Sequence, residues 1–396
     1  MDKINFFPEN LDVQNQKVIL RLDLNVPLKE KVIQDDTRIS LTLPFIKKLV
    51  EKKAKIIIIS HLGRPKSIRV PELSLIPIYK YLKKYLQTNV YFFMGSLDDE
   101  VEDKFSHLKN GDVILLENIR YFKGESNDDE NFAKKLGSLG DIYINDAFSC
   151  SHRKQASIHN ITKFIKHSYA GPLLKKEIEA INLVIKNKKE PVTCIIGGSK
   201  ISTKINVITS LIEKIDKLII VGAMANNFFI YKNLKVGKSL VESNTKEIIK
   251  KIYDKASKDK CEIIIPEDCV VSASFEGEGK NKNLNEVEEN EIILDIGSNT
   301  VKKIKKIIDL SNTVLWNGPA GYFENKNFLN GTMSIAEAIS KNTHEKSLIS
   351  VIGGGDTLAA INKSKNKLFF SHLSTAGGAF LEYLEGKDLP GLSVLK

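Results

Sequence analysis

The chain has 396 residues and carries a formal net charge of +10; 42% of residues are hydrophobic, enough to bury real cores, and the 27% that are charged fit an ordinary soluble protein. At roughly 100–200 residues per domain, the length implies two or three domains. Apolar runs such as Ile56–Ile59 are strand-length, far short of the ~18 residues of a membrane helix. Met1–Asn10 has no basic stretch followed by an apolar run, so neither a membrane span nor a signal peptide is expected.

In chain order, Lys17–Arg21, Lys55–Ser60, Asp112–Leu116 and Asp141–Asn145 read as strands. Leu41–Glu51 and Leu73–Leu86 between them have helical spacing. A helix-like stretch, Leu173–Ile185, follows Ala170-Gly171-Pro172 and gives way to the polar run Lys186–Glu190 and Pro191. Strand patterns resume at Val192–Ile196, Lys217–Val221, Cys261–Ile265, Thr313–Trp316 and Leu348–Ile352, with a helix over Lys246–Ser257. Glu276–Asn290 is polar and reads as an exposed loop or hairpin without chemistry of its own. Strands alternating with helices imply parallel sheets with crossover helices. The expected fold class is therefore α/β, with two domains joined by a helix near residues 170–190.

The four cysteines, Cys150, Cys194, Cys261 and Cys269, form no Cys-x-x-Cys pair, which points to a reducing, cytoplasmic compartment. His61 and His152 give no tetrahedral zinc set with Cys150 at a sensible spacing. The positive charge is mostly lysine scattered in pairs, such as Lys188-Lys189 and Lys302-Lys303, and reads as solvated helix faces. Arginine is distributed differently. Of 59 basic residues only six are arginine (Arg21, Arg38, Arg64, Arg69, Arg120, Arg153), all in the first 153 residues. In a chain drifting toward lysine, the arginines that remain mark places needing a planar fork to grip phosphate or carboxylate.

Ligands of open α/β sheets sit at the carboxyl ends of strands. In the first half, the loops there are Arg21–Asn25, Ser60–Arg64, Glu117–Arg120 and Asn145–Phe148, a basin for a small, multiply anionic molecule. In the second half they are Gly197–Lys200, Trp316–Pro319, Gly353–Thr357 and Ser374–Gly378. Glycines there let backbone approach phosphate, following helices offer free N–H groups, and Asp356 is placed to hold Mg²⁺. Walker, Rossmann and protein-kinase signatures are absent. The residues alone imply a two-domain transferase with an anion site on one side and a Mg-nucleotide site on the other.

These loops, in this order, resemble the phosphoglycerate kinase family. The motifs are Arg21–Leu28, His61–Pro65, Leu115–Arg120, Asn145–Phe148 with His152-Arg153, Gly197–Lys204, Trp316–Pro319 with Phe323-Glu324, Gly354–Thr357 and Ser371–Gly378. The resemblance implies two doubly wound, parallel-sheet (Rossmann-like) domains: residues 1–172 with tail 384–396 for phosphoglycerate, a hinge helix over 173–186, and residues 187–383 for nucleotide. It implies that Asp23, Asn25, Arg38, His61, Arg64, Arg120 and Arg153 line the acid-substrate site, with Arg21 a further member and Leu24, Leu62 and Gly63 in the same loops. Arg38, Lys200 and Gly377 would act on the transferring group. Lys204 would meet the nucleotide phosphates, Glu324 the ribose and Asp356 the magnesium. Gly198, Gly297, Asn317, Gly354, Gly355 and Thr357 would lie along the nucleotide. The expected partners are 3-phosphoglycerate or 1,3-bisphosphoglycerate and ATP or ADP with Mg²⁺, handled by a cytoplasmic monomer without membrane or specific nucleic-acid binding. The chain departs from the family pattern at Val221-Gly222-Ala223, Ala376, Leu24, Ser149-Cys150 and Ser298.

The expected mechanism needs no general base, because the nucleophile is an ionised carboxylate. The task is to bring two polyanions together and neutralise charge on a flying phosphoryl group, with a hinge closure that excludes water. The rival readings are a catalytically silent nucleic-acid-binding protein on the same fold, and another carboxylate kinase with a different acid.

Overall fold

The β-branched runs form strands because Val and Ile side chains pack well on a pleated surface. Runs apolar at every position, such as Ile56–Ile59, need cover on both faces of the sheet. The structure is a computed structural model describing residues 4–95, 97 and 105–396. The chain divides into two units, Met1–Ile178 with Asp388–Lys396, and Glu179–Lys387. The division falls inside the helix Pro172–Ile185.

In the first unit the strands are β1 (Lys17–Arg21), the short hairpin β2 (Leu28–Lys29) and β3 (Val32–Ile33), β4 (Lys55–Ile59), β5 (Val90–Phe93), β6 (Val113–Leu116), β7 (Ile142–Asn145) and β8 (His167–Ala170). Six of them form one sheet in the order β5-β6-β4-β1-β7-β8. Every pairing in it is parallel. From β1 the chain sets β4 beside it, β5 at the edge and β6 between those two, and then crosses to β7 and β8 on the other side. In open sheets of this kind ligands bind where the winding reverses, here outside the ends of β1 and β7. The register sets Arg21 beside Ile59 and Asn145, so the loops after β1, β4 and β7 emerge together. The C-terminal segment belongs to this unit: Gly391 N donates to Ser151 O at 2.9 Å and Asn5 N to Leu395 O at 2.7 Å.

The second unit repeats the plan with β9 (Val192–Ile196), β10 (Lys217–Ile220), β11 (Glu262–Ile264), β15 (Thr313–Asn317), β16 (Ile349–Gly353) and β17 (His372–Ser374), in the parallel order β11-β10-β9-β15-β16-β17. Its winding reverses between β9 and β15. Between β11 and β15 the chain adds a small antiparallel sheet of β12 (Asp268–Ser272), β13 (Lys280–Asn283) and β14 (Ile292–Ile296), in the order β13-β12-β14. Among the described residues no helix is long and apolar enough to cross a membrane.

Local chemistry shifts several boundaries from the expected ones. The first helix begins at Thr37 rather than Leu41, because Asp35 Oδ1 accepts from Thr37 N at 2.9 Å and holds the first turn. Of the exposed loop or hairpin expected over 276–290, Lys280–Asn283 is strand β13, which pairs antiparallel with β12. The start of helix Ser298–Asp309 shows how caps are made here. Asp268 accepts from Asn299 N at 2.9 Å, Thr300 N at 2.8 Å and Thr300 Oγ1 at 2.6 Å. Burial works to raise this carboxyl, but the bonds from Thr300 and Asn299 outweigh it and hold it below the usual 3.8. A Cβ on Gly297 would lie 2.2 Å from the Asp268 carboxyl carbon, so that position stays glycine.

Asp268→Ala leaves the Asn299 amide and the buried Thr300 amide at this helix start without their acceptor and should cost about 1–2 kcal/mol of stability. Because the folded carboxyl titrates below its unfolded value, its contribution is full above pH 3.8 and is lost as pH falls through the lowered folded value. Urea denaturation of wild type and variant at pH 7 and at pH 3 checks both statements; equal differences at the two pH values would refute the second.

Candidate active site

The first cluster is built on the end of β1. Arg21 is fully buried, a costly place for a charge unless every donor is matched. Its Nε donates to Ser157 Oγ at 2.9 Å, Nη1 bonds Leu22 O, and Nη2 lies 3.3 Å from His61 Nδ1. Arg38, in the first turn of helix Thr37–Glu51, sets Nη1 2.9 Å from Asp23 Oδ2 and 3.0 Å from Asn25 O. Burial pushes the Asp23 carboxyl up, but Arg38 and then Ser149 and the Asn25 amide more than offset this, so it sits below its usual range. Asn25 Oδ1 accepts from Gly63 N at 2.9 Å, tying the loop after β1 to the loop after β4. Gly63 has φ +60°, a left-handed turn that favours glycine. Arg120 Nη1 donates to Gly63 O at 2.8 Å, and burial pulls this guanidinium down to about 10, still protonated at neutral pH. Arg153 Nε bonds His152 Nε2 at 3.1 Å, and Arg64 is exposed.

Not every expected residue has the same place. Leu24 and Leu62 are buried in the core, so their side chains support the basin instead of lining it. The Leu24 amide is held by Ser60 Oγ at 3.0 Å. Arg69 stands apart, with one weak bond to Gly95 O at 3.5 Å. Asp23, His61 and Cys150 bring ligand atoms within 4.8 Å of one another, a trio that sequence spacing did not reveal. Arg21 Nη2 faces both His61 Nδ1 and, at 3.8 Å, Cys150 Sγ, while Asp23 is engaged by Arg38 and Ser149. A cation set there would meet guanidinium groups on several sides, so the cluster suits an anion.

The second cluster lies at the other reversal of winding. The loops after β9 and β15 touch backbone to backbone: a Cβ on Gly197 would fall 2.2 Å from Pro319 O, and one on Gly318 (φ +102°) 2.3 Å from Gly197 O. Beside them opens a cavity of about 390 Å³ whose lining includes Gly198, Pro319, Tyr322, Phe323, Glu324 and Asp356. Apolar walls of this kind suit a planar base, with polar groups at one end to orient it. Further lining comes from the small sheet, through Cys269 and Ile292–Ile296, and from Pro266 and Phe275 beside it; apart from Cys269, noted only as a cysteine, sequence reading did not single these residues out. Phe275 meets Tyr322 edge to face at 5.0 Å, a pairing visible only after folding.

Lys204 Nζ donates to Gly197 O at 2.6 Å and Asn317 Oδ1 at 2.9 Å. Burial pulls this ammonium down to about 8, with Cys194 and Asp356 pulling the other way. Thr357 is buried and its Oγ1 accepts from Gly318 N at 2.7 Å, so it locks two loops together. Gly354 (φ +101°) precedes helix Gly355–Ile361 and Gly377 (φ +56°) precedes helix Gly378–Leu384, so both glycines make turns that other residues resist. Gly297 stands one residue beyond the lining residue Ile296, at the start of helix Ser298–Asp309. Lys200 and Glu324 are exposed.

The family model for phosphoglycerate kinase matches residues 9–387. The chain belongs to the phosphoglycerate kinase family. A phosphoglycerate kinase from Wolbachia sp. subsp. Drosophila simulans is 44% identical over 390 residues, 98% of each chain. One from Pseudothermotoga lettingae is 44% identical over 388 residues, 97% of this chain and 96% of that one. Among solved structures, the phosphoglycerate kinase of Coxiella burnetii superposes with a TM-score of 0.87 at 38% identity, covering 98% of this chain and 97% of that one. That of Pyrococcus horikoshii gives 0.83 at 28%, covering 98% of each. Membership makes the chain a kinase that transfers a phosphoryl group, and nothing in the fold favours a silent nucleic-acid-binding role.

For a phosphoglycerate kinase with this arrangement, Arg38→Lys should lower turnover more than affinity, on the order of 10²–10³ in rate. Arg69→Lys should leave both unchanged within twofold. Steady-state kinetics of the pair checks the contrast; equal effects would remove Arg38 from the reacting group. Lys204 gives a pH prediction. Its folded value of about 8 means the free ammonium loses its charge as pH rises from 7 to 9. Nucleotide affinity should therefore fall over that range, with proton uptake on binding near pH 8. Calorimetry in buffers of different ionisation enthalpy measures the uptake, and Lys204→Gln should abolish it.

Proposed function

We propose that the first unit binds 3-phosphoglycerate or 1,3-bisphosphoglycerate in the arginine-lined crevice, and that the second binds MgATP or MgADP in the cavity beside Gly198, Lys204 and Asp356. The reaction is reversible phosphoryl transfer between ATP and the substrate carboxylate. The observation that supports this reading best is the segregation of chemistry: Arg21, Arg38, Arg120 and Arg153 gather at one winding reversal, while the apolar-walled cavity with the Asp356 carboxylate in its lining sits at the other, the Lys204 ammonium lying next to its lining residue Gly198.

Arg38 would grip the reacting carboxylate and follow the charge onto the transferring group; Arg64 would take the remote phosphate. Lys204 would neutralise nucleotide phosphate oxygens, with Lys200 and the backbone at Gly377 close to the phosphoryl group in flight. Glu324 would accept from ribose hydroxyls. Asp356, in the first turn of helix Gly355–Ile361, lines the cavity and offers the hard oxygen donor that Mg²⁺ takes. The bound ion would supply neutralisation of phosphate charge. The two half-sites belong to different units, so transfer calls for closure about residues 173–186, with water excluded. A monomer working in the cytoplasm completes the proposal.

A coupled assay with 3-phosphoglycerate and MgATP tests it directly; absence of turnover would overturn it. Asp356→Asn should cut turnover strongly and weaken metal dependence while leaving phosphoglycerate affinity nearly intact. Unchanged metal dependence in that variant would mean that the ion is held elsewhere.

A further inference from the structure

Beneath the arginine basin runs a polar chain whose donor and acceptor directions are all fixed by chemistry. A guanidinium only donates. Arg21 Nε donates to Ser157 Oγ at 2.9 Å, so the Ser157 hydroxyl proton must go elsewhere. It goes to Glu125 Oε1 at 2.7 Å, while Ser157 N donates to Glu125 Oε2 at 2.9 Å. Tyr143 OH holds the Ser157 carbonyl at 2.7 Å. At the other end, Arg21 Nη2 lies 3.3 Å from His61 Nδ1. Since Nη2 has no lone pair to offer, Nδ1 is the acceptor and carries no proton.

Glu125 is fully buried, in the short helix Lys123–Ser126, and Arg21 is the foremost cation acting on it. Burial raises its carboxyl above the usual range, with Arg21 first among the charges that oppose this, and through Ser157 it orients the buried guanidinium. His61 faces Arg21, Arg120 and Arg38 as cations, Asp23 as an anion, and the Cys150 thiol 3.8 Å from Nδ1. Burial and the guanidinium groups hold the ring well below its usual value, with Asp23 in partial opposition, so it is neutral at physiological pH. A neutral imidazole with a bare Nδ1 has its single proton on Nε2. Among the described residues Nε2 has no hydrogen-bond partner, which leaves that N–H for a ligand.

We infer that Glu125 is a positioning residue for the acid substrate: through Ser157 it fixes Arg21, and Arg21 fixes His61 in the tautomer that offers an N–H, not a lone pair, to an anion. The inference rests on the reading that the basin around His61 binds phosphoglycerate. The opposite tautomer would point a lone pair at a carboxylate or phosphate oxygen and repel it. Sequence reading assigned no role to Glu125 or Ser157.

The test is a long-range ¹H–¹⁵N spectrum of the full chain labelled at histidine, with the His61 signals identified by their loss in His61→Gln. In the free wild type, Nδ1 should show the shift of an unprotonated nitrogen and Nε2 that of a protonated one. A proton on Nδ1 overturns the inference without any variant. In Glu125→Gln the two shifts should move toward each other as tautomers mix. The kcat/KM for 3-phosphoglycerate should fall about tenfold, as for a misdirected hydrogen bond to a charged group, with KM for MgATP unchanged within twofold. Ser157→Ala breaks the same link and should move both readouts in the same direction, which covers the case that Glu125→Gln does not fold. Glu130→Gln, at an exposed pair with Lys163, should change neither. Folded variants at Glu125 and Ser157 with wild-type spectra and wild-type kcat/KM would sink the proposal. Complete absence of phosphoglycerate turnover in the wild type would instead sink the functional reading, while the spectrum of the free chain would still report the tautomer.

Discussion

A guanidinium buried at the end of a central strand is the constraint around which the first unit is arranged. Removing an ion from water costs several kcal/mol even in a relaxed protein interior, so Arg21 obliges its neighbours to answer it. Ser157, the Leu22 carbonyl and His61 Nδ1 do so directly, and Glu125 answers from one step behind. These partners come from different strands and loops, and the charge therefore specifies how those loops lie as well as what they carry. The exposed and half-buried arginines of the basin stand in a framework whose registry this ion sets. A field built this way is preorganised, needing little rearrangement when an anion arrives.

The second unit meets a different constraint, the approach of bare backbone. Gly197, Gly222 and Gly318 leave no room for a Cβ, because carbonyls and amides of the neighbouring loops occupy the space. Peptide groups there pack against each other, and Lys204 places its ammonium among the carbonyls that result. Val221 and Ala223 flank the tight position at Gly222 without occupying it, so the departure from the family pattern there leaves the glycine without room for a Cβ in place.

Much of this was legible before folding. The alternation of β-branched runs and helical spacing carried the parallel sheets, since strands buried on both faces must be apolar throughout. The scarcity of arginine pointed to the basin, and Arg69, the arginine to which the resemblance gives no role, makes a weak bond to Gly95 O instead of joining Arg21, Arg38, Arg120 and Arg153. Short or edge elements were illegible for physical reasons. Lys280–Asn283 is entirely polar and becomes a strand only because β12 offers it a ladder. His372–Ser374 is too short to show a period. Glu125 lies in a polar run that reads as surface, and its partner Ser157 is 32 residues away; only folding turns that carboxylate inward. The cavity wall was missed likewise, because Phe275, Tyr322 and Ile292–Ile296 have ordinary apolar identities and gain meaning from where they meet.

The small antiparallel sheet has a consequence for how such an enzyme drifts over generations. It is inserted between β11 and β15 and supplies one wall of the cavity, whereas Gly198, Pro319 and Asp356 come from the loops of the large sheet. Much of the apolar wall and the Asp356 carboxylate thus come from different segments of the chain. Substitutions in the insert can reshape the pocket while the charged groups stay where they are. Strand β13, Lys280–Asn283, is built of lysine and asparagine alone, so the insert already accommodates polar residues at positions where a strand of the large sheets is apolar.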